Sequence, residues 1–132
     1  MMQEINPTYR YYKLWLAMGY ALVTLVIYLS VTSNPPDPGI EMPNFDKVAH
    51  TLAYFAMMGW FAQIYHVKKQ RIIYALSFVA LGVALEFVQS FDSRRMAEFA
   101  DMVANTSGVL IAVLITRMSA FRLVLKRVES YI

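Results

Sequence analysis

The 132-residue chain contains no cysteine. Disulfides, thiolate nucleophiles and cysteine metal sites are therefore excluded, and no redox compartment can be read from it. Charge is scarce too: 16% of residues are charged and 58% are hydrophobic, with a net charge of +3. That composition cannot be sorted into a soluble core and a charged shell without exposing a large apolar surface. An integral membrane protein resolves the conflict.

What is present is four apolar stretches, 14–32, 48–66, 72–89 and 99–117. A helix of about 19 residues, rising about 1.5 Å per residue, spans roughly 28 Å, close to the hydrocarbon thickness of a bilayer. The reading is an all-α bundle of four transmembrane helices forming one domain over residues 1–132. The first stretch follows Arg10 and Lys13 as a signal peptide would, but its apolar run is long and Ser30-Val31-Thr32 is a poor cleavage site. It is expected to be a retained anchor.

The twelve Lys and Arg residues divide nine to three across the spans. Arg10, Lys13, Lys68, Lys69, Arg71, Arg117, Arg122, Lys126 and Arg127 lie on one side, and Lys47, Arg94 and Arg95 on the other. The positive-inside rule then places both termini and a short 67–71 turn in the cytoplasm, with the 33–47 and 90–98 loops outside. Segment 33–39 is dense in Pro, Asn, Asp and Gly and reads as a stiff connector. The basic-apolar segment Phe121–Val128 reads as a short helical extension lying on the anionic inner leaflet, an anchor and not a site.

Seven of the nine acidic residues fall in or beside the outer segments. Asp46, His50 and Tyr54 recur at four-residue spacing, descending one helical face from the surface into the bilayer. Ordinary capping and interfacial roles would explain these three taken alone. Glu86 interrupts an apolar run, where a charge costs on the order of 2.5–3.5 kcal/mol near the bilayer centre and less toward its edge. It needs a partner, a proton or water, or must reach the headgroups. Asp101, Asn105 and Gly108 form one stripe that continues through Ala104 and Ala112 at small-xxx-small spacing, so packing and function compete as explanations for Asn105 and Gly108. Alternating topology brings these clusters into one outer layer. The inner halves are expected to carry little that is polar beyond Thr24, Ser77 and Thr116, which argues against a transport path.

Read in order, Asp46-Lys47-x-x-His50-x-x-x-Tyr54, Glu86-x-x-Gln89-x-Phe91-x-x-x-Arg95 and Asp101-x-x-x-Asn105-x-x-Gly108 resemble the VanZ-like family of small bacterial membrane proteins. The match covers about residues 43–115. One departure is Asp92-Ser93-Arg94, where a Pro-Gly turn is common. The resemblance implies a multi-pass protein of the bacterial cytoplasmic membrane with its site on the extracytoplasmic side. The founding member is linked to teicoplanin resistance, and kinship with wider groups of helical proteins implies processing of lipid head groups.

The chemistry expected is phosphoester hydrolysis or head-group transfer on a membrane lipid or lipid-linked cell-wall precursor. His50 would be base or nucleophile, oriented by Asp46 or Asp101. Glu86 would donate a proton to the leaving group. Arg95 and Lys47 would bind phosphate, with Tyr54, Gln89 and Asn105 contacting substrate. Asp46, His50, Glu86 and Asp101 also offer mixed ligands for a divalent ion, but no spacing is diagnostic and no metal is assigned. No cofactor is identified, nucleic acid is not an expected partner, and the oligomeric state is open. The alternative is a non-catalytic envelope protein that binds lipid or lipoglycopeptide and contributes to antibiotic tolerance.

Overall fold

The computed structural model describes residues 6–32, 37, 39–93, 98–118 and 120–132. Among these the chain is all helical: α1 Tyr12–Val31, α2 Phe45–Ile64, α3 Lys68–Gln89, α4 Phe99–Ile115 and the short α5 Val124–Glu129. Helices α1 and α3 are long and apolar enough to cross a membrane, and α4 is apolar but only 17 residues long. The expected 67–71 turn is shorter than its charges suggested. Only Tyr65, His66 and Val67 separate α2 from α3, and Lys68, Lys69 and Arg71 already belong to the helix.

Helix α2 is central and packs on all the others, most extensively on α4. Its middle carries Met57, Met58 and Phe61, fully buried or nearly so, with Val109 and Ala112 of α4 and Phe78 of α3 closing the core. Gly108 makes the α2–α4 contact possible. A Cβ there would strike the Thr51 carbonyl oxygen and lie 2.9 Å from the Phe55 nitrogen, so only glycine lets the two backbones approach this closely.

The outward surface is apolar. Leu76 and Phe87 of α3 are 65% and 62% exposed, and Leu25, Leu52, Leu110 and Leu114 also face outward. The buried set, by contrast, includes Gln63, His66, Glu86, Gln89, Asp101, Asn105 and Thr116. Polar groups inside and aliphatic groups outside invert the usual soluble arrangement.

The C-terminal extension is held by more than charge and surface burial. Leu125 is buried with Tyr9, Trp15 and Ile64. Glu129 accepts from the backbone N–H groups of Arg10 and Tyr11, at 3.1 and 3.0 Å, and from Trp15 Nε1 at 2.6 Å. A carboxylate from the far end of the chain thus caps the start of α1, where unpaired N–H groups carry the positive end of the helix dipole. Beside it, burial and then the Glu129 charge raise the Tyr9 hydroxyl to a pKa of about 12. That hydroxyl donates to the Gln63 carbonyl oxygen.

Candidate functional site

Three helices deliver the cluster: the first turns of α2 and α4 and the last turn of α3. At the α2 start, Lys47 Nζ sits among three carboxylates, 2.6 Å from Asp46 Oδ2, 3.0 Å from Glu98 Oε2 and 2.6 Å from Asp101 Oδ1. Asp46 is largely exposed, whereas Asp101 is 4% exposed, so the lysine bridges the surface and the interior. The Lys47–Asp101 contact is an ion pair by distance, yet Asp101 Oδ1 receives no aligned hydrogen bond from the described groups.

One turn deeper, His50 Nδ1 lies 2.6 Å from the main-chain carbonyl oxygen of Asp46. A carbonyl can only accept, so this contact places a proton on Nδ1 and leaves Nε2 as the basic atom of the neutral ring. The Nδ1 partner is thus main chain and not the carboxylate of Asp46 or Asp101. His50, Glu86 and Asp101 each bring one ligand atom to within 4.8 Å of the other two. One nitrogen and two carboxylate oxygens form a set that could hold a divalent cation.

Glu86 is 3% exposed, and its Oε1 accepts from the Glu98 backbone N–H at 2.7 Å. The bond joins the end of α3 to the start of α4. Asn105, 3% exposed, follows Asp101 by one turn, and its Oδ1 is buried without a donor among the described groups. Its side chain packs at Gly82 of α3, where Tyr54 of α2 also arrives. Tyr54 and His50 line a cavity of about 170 Å³ that α1 closes with Val26, Leu29 and Ser30. Gln89 Nε2 donates to the Ser30 carbonyl oxygen at 2.8 Å, tying α3 to the end of α1.

The structure therefore gathers Lys47, His50, Glu86 and Asp101, with Asp46 on the rim, Tyr54 and Asn105 in the layer beneath and Gln89 to one side. Arg95 lies outside the described residues. Sequence reasoning missed Glu98, whose carboxylate meets Lys47 and whose N–H holds Glu86. Its position three residues before Asp101, at the start of an apolar run, was the available signal. Ser30 was considered only as part of a cleavage site.

The opposite end of the bundle is also polar, contrary to expectation. Gln63 Nε2 donates to the Phe121 carbonyl at 2.6 Å and its Oε1 accepts from Leu125 N–H at 3.1 Å. Buried His66 contacts the Gln63 carbonyl through Nε2 at 3.0 Å. Hydropathy averaged over 48–66 hid both residues, because they lie near the end of a strongly apolar window.

An apolar helical bundle with an internal acid–imidazole–lysine cluster is the kind of structure expected of a membrane protein with a chemical or binding site. The VanZ/LLP1 family model matches residues 3–122, and the chain belongs to this VanZ-like family. It is also similar to an uncharacterised protein of Schizosaccharomyces pombe, 29% identical over 115 residues, which cover 83% of this chain and 68% of the yeast protein. No solved structure matches.

Proposed function

We propose that this protein is a four-span membrane protein, with both termini in the cytoplasm, that processes lipid head groups at the outer leaflet by phosphoester hydrolysis or head-group transfer. The observation that carries the reading is the meeting of His50, Glu86 and Asp101, from three helices, within 4.8 Å at one end of the bundle, with both carboxylates buried. Ionisable groups buried at a bilayer edge are costly and are retained where they act. The yeast relative favours a membrane phospholipid as substrate, since such head groups are common to bacterial and fungal cells.

In the hydrolytic form, His50 Nε2 accepts a proton as a water oxygen attacks phosphorus. The bond from phosphorus to the leaving alcohol breaks, and the Glu86 carboxylic acid protonates the departing oxygen. Asp101 and Lys47 keep the site in register. Arg95 is the phosphate ligand in this proposal, with Lys47 as the cation already in place.

A second reading, recognition without turnover, is favoured by the cavity of about 170 Å³ beside His50, where Ser30, His50 and Tyr54 stand among apolar Val26 and Leu29, a lining that can seat part of a lipid. Purified protein in nanodiscs, given phospholipids labelled in the head group, separates the two. His50→Gln and Glu86→Gln should each lower release of the labelled group by about 10²-fold or more. Undiminished release in His50→Gln, Glu86→Gln and Asp101→Asn sinks the catalytic reading, and loss of lipid binding with no turnover in the parent protein supports recognition.

A further inference from the structure

At the other end of the bundle lies a second cavity of about 360 Å³, lined by Lys68, Arg71, Arg117 and Arg122 together with apolar residues such as Ile72 and Val113. Lys68 and Glu86 are separated along α3 by about 27 Å at about 1.5 Å per residue, so this cavity is independent of the His50 cluster. We propose that it is a binding site for the phosphate head group of an anionic phospholipid, with the adjoining acyl chain against Ile72 and Val113.

Four of the eight lining residues are cations, and buried His66 is a fifth polar group in the wall. Arg71 is fixed: its Nε donates to the Tyr65 carbonyl at 3.0 Å and its Nη2 to the Ala62 carbonyl at 2.9 Å. It closes the end of α2 and presents a rigid charge to the cavity. Among the described residues no carboxylate pairs with Lys68, Arg117 or Arg122; Glu129, the acid at this end, is directed to the start of α1.

The start of α3 adds a second, independent reason. Lys68, Lys69 and Arg71 occupy its first turn, with no acidic residue there. Asn6 Oδ1 accepts from the His66 and Val67 N–H groups just before it, at 2.7 and 3.1 Å, and Val67 offers no side-chain cap to the turn itself. Cations at a helix N-terminus oppose the helix dipole, and uncapped N–H groups there attract anions. A phosphate in the cavity relieves both the mutual repulsion of the cations and their conflict with the dipole. Charge asymmetry between the membrane faces explains why basic residues lie on this side, but not why four of them from α3 and the segment after α4 face one cavity.

A lipid is favoured over a soluble phosphate by the apolar part of the lining. Ile72 is half exposed and continues outward into Ile73 and Leu76, part of the aliphatic surface of α3. A ligand seated on the cations thus has an apolar path leading to the hydrocarbon.

The test is native mass spectrometry of the intact, detergent-purified chain, mixed with phosphatidic acid or phosphatidylcholine, with inorganic phosphate as a competitor. The parent protein should retain phosphatidic acid in preference to phosphatidylcholine. Arg117→Gln and Arg122→Gln should each reduce that retention about fivefold, while Lys13→Gln, which removes one charge from the same end but outside the cavity, should leave it unchanged. Thermal unfolding checks that the variants are folded, and Arg122→Gln alone carries the test if Arg117→Gln is not. The proposal is overturned if Lys13→Gln weakens retention as much, if both arginine variants bind like the parent, or if inorganic phosphate displaces the lipid at equal concentration.

Discussion

Lys47 Nζ lies 2.6 Å from Asp101 Oδ1, pinning the first turn of α2 to the first turn of α4. The aspartate is buried and the lysine is its cation, so the two charges depend on each other unequally. Lys47→Gln strands a buried carboxylate and should cost about 1–3 kcal/mol. Adding Asp101→Asn removes the stranded charge, and the double variant should recover part of that loss. Chemical denaturation of the four proteins in detergent measures the coupling; equal stability of single and double variants would refute it.

Gly108 and Gly59 should respond to alanine in opposite directions. A methyl group at Gly108 collides with the α2 backbone at Thr51 and Phe55, and forcing the helices apart should cost about 1–3 kcal/mol. At Gly59 the added carbon would sit 4.0 Å from Ala112 Cβ, an ordinary contact. Gly59→Ala should be neutral or stabilise by up to about 1 kcal/mol through helix propensity. Melting temperatures of the two variants decide the matter.

Glu129 makes stability depend on acid. Partial burial works to raise its pKa, but the N–H groups of Tyr11, Trp15 and Arg10, together with Lys126, outweigh it and hold the carboxyl below the usual 4.5. A group whose pKa is lowered on folding contributes stability that is fully present above its unfolded value and is lost as pH falls through the folded one. The parent protein should therefore melt higher than Glu129→Gln at neutral pH, and the two curves should converge below about pH 4. A difference that stays constant down to that pH would show that ionisation of Glu129 is irrelevant.

Gln89→Leu removes the amide donor to the Ser30 carbonyl that joins α3 to the end of α1. The expected cost is about 1 kcal/mol, measured by denaturation. Faster hydrogen exchange at the Ser30 end of α1 should accompany it, with the Trp15 end unchanged. Uniform acceleration along α1 would argue against a local clamp.

Much of the candidate site was legible because helical period and alternating direction are local rules. Asp46, His50 and Tyr54 at four-residue spacing, Glu86 alone in an apolar run, and Asp101 with Asn105 on one stripe are statements about single helices. Once consecutive helices run antiparallel, these groups meet in one layer. Glu98 escaped in part because one of its two roles is a backbone N–H on Glu86, and main-chain donors carry no residue-type signal; its carboxylate, on Lys47, was open to reading. The polar end at Gln63 and His66 escaped for a different reason: both are outweighed in any hydropathy average by their apolar neighbours.

The amino-acid sequence by itself determined that the molecule is helical, too apolar for a soluble shell, free of thiol chemistry and asymmetric in basic charge, since composition and period suffice for each of these. Only the tertiary structure decided that Lys47 bridges three carboxylates, that the His50 ring is held by a carbonyl, that Glu129 caps α1 and that Lys68, Arg71, Arg117 and Arg122 line one cavity. Each of these joins residues distant along the chain or uses the backbone as a partner. Such contacts depend on helix rotation and separation, which close packing around Gly108 and the Met57–Phe61 core sets to within ångströms.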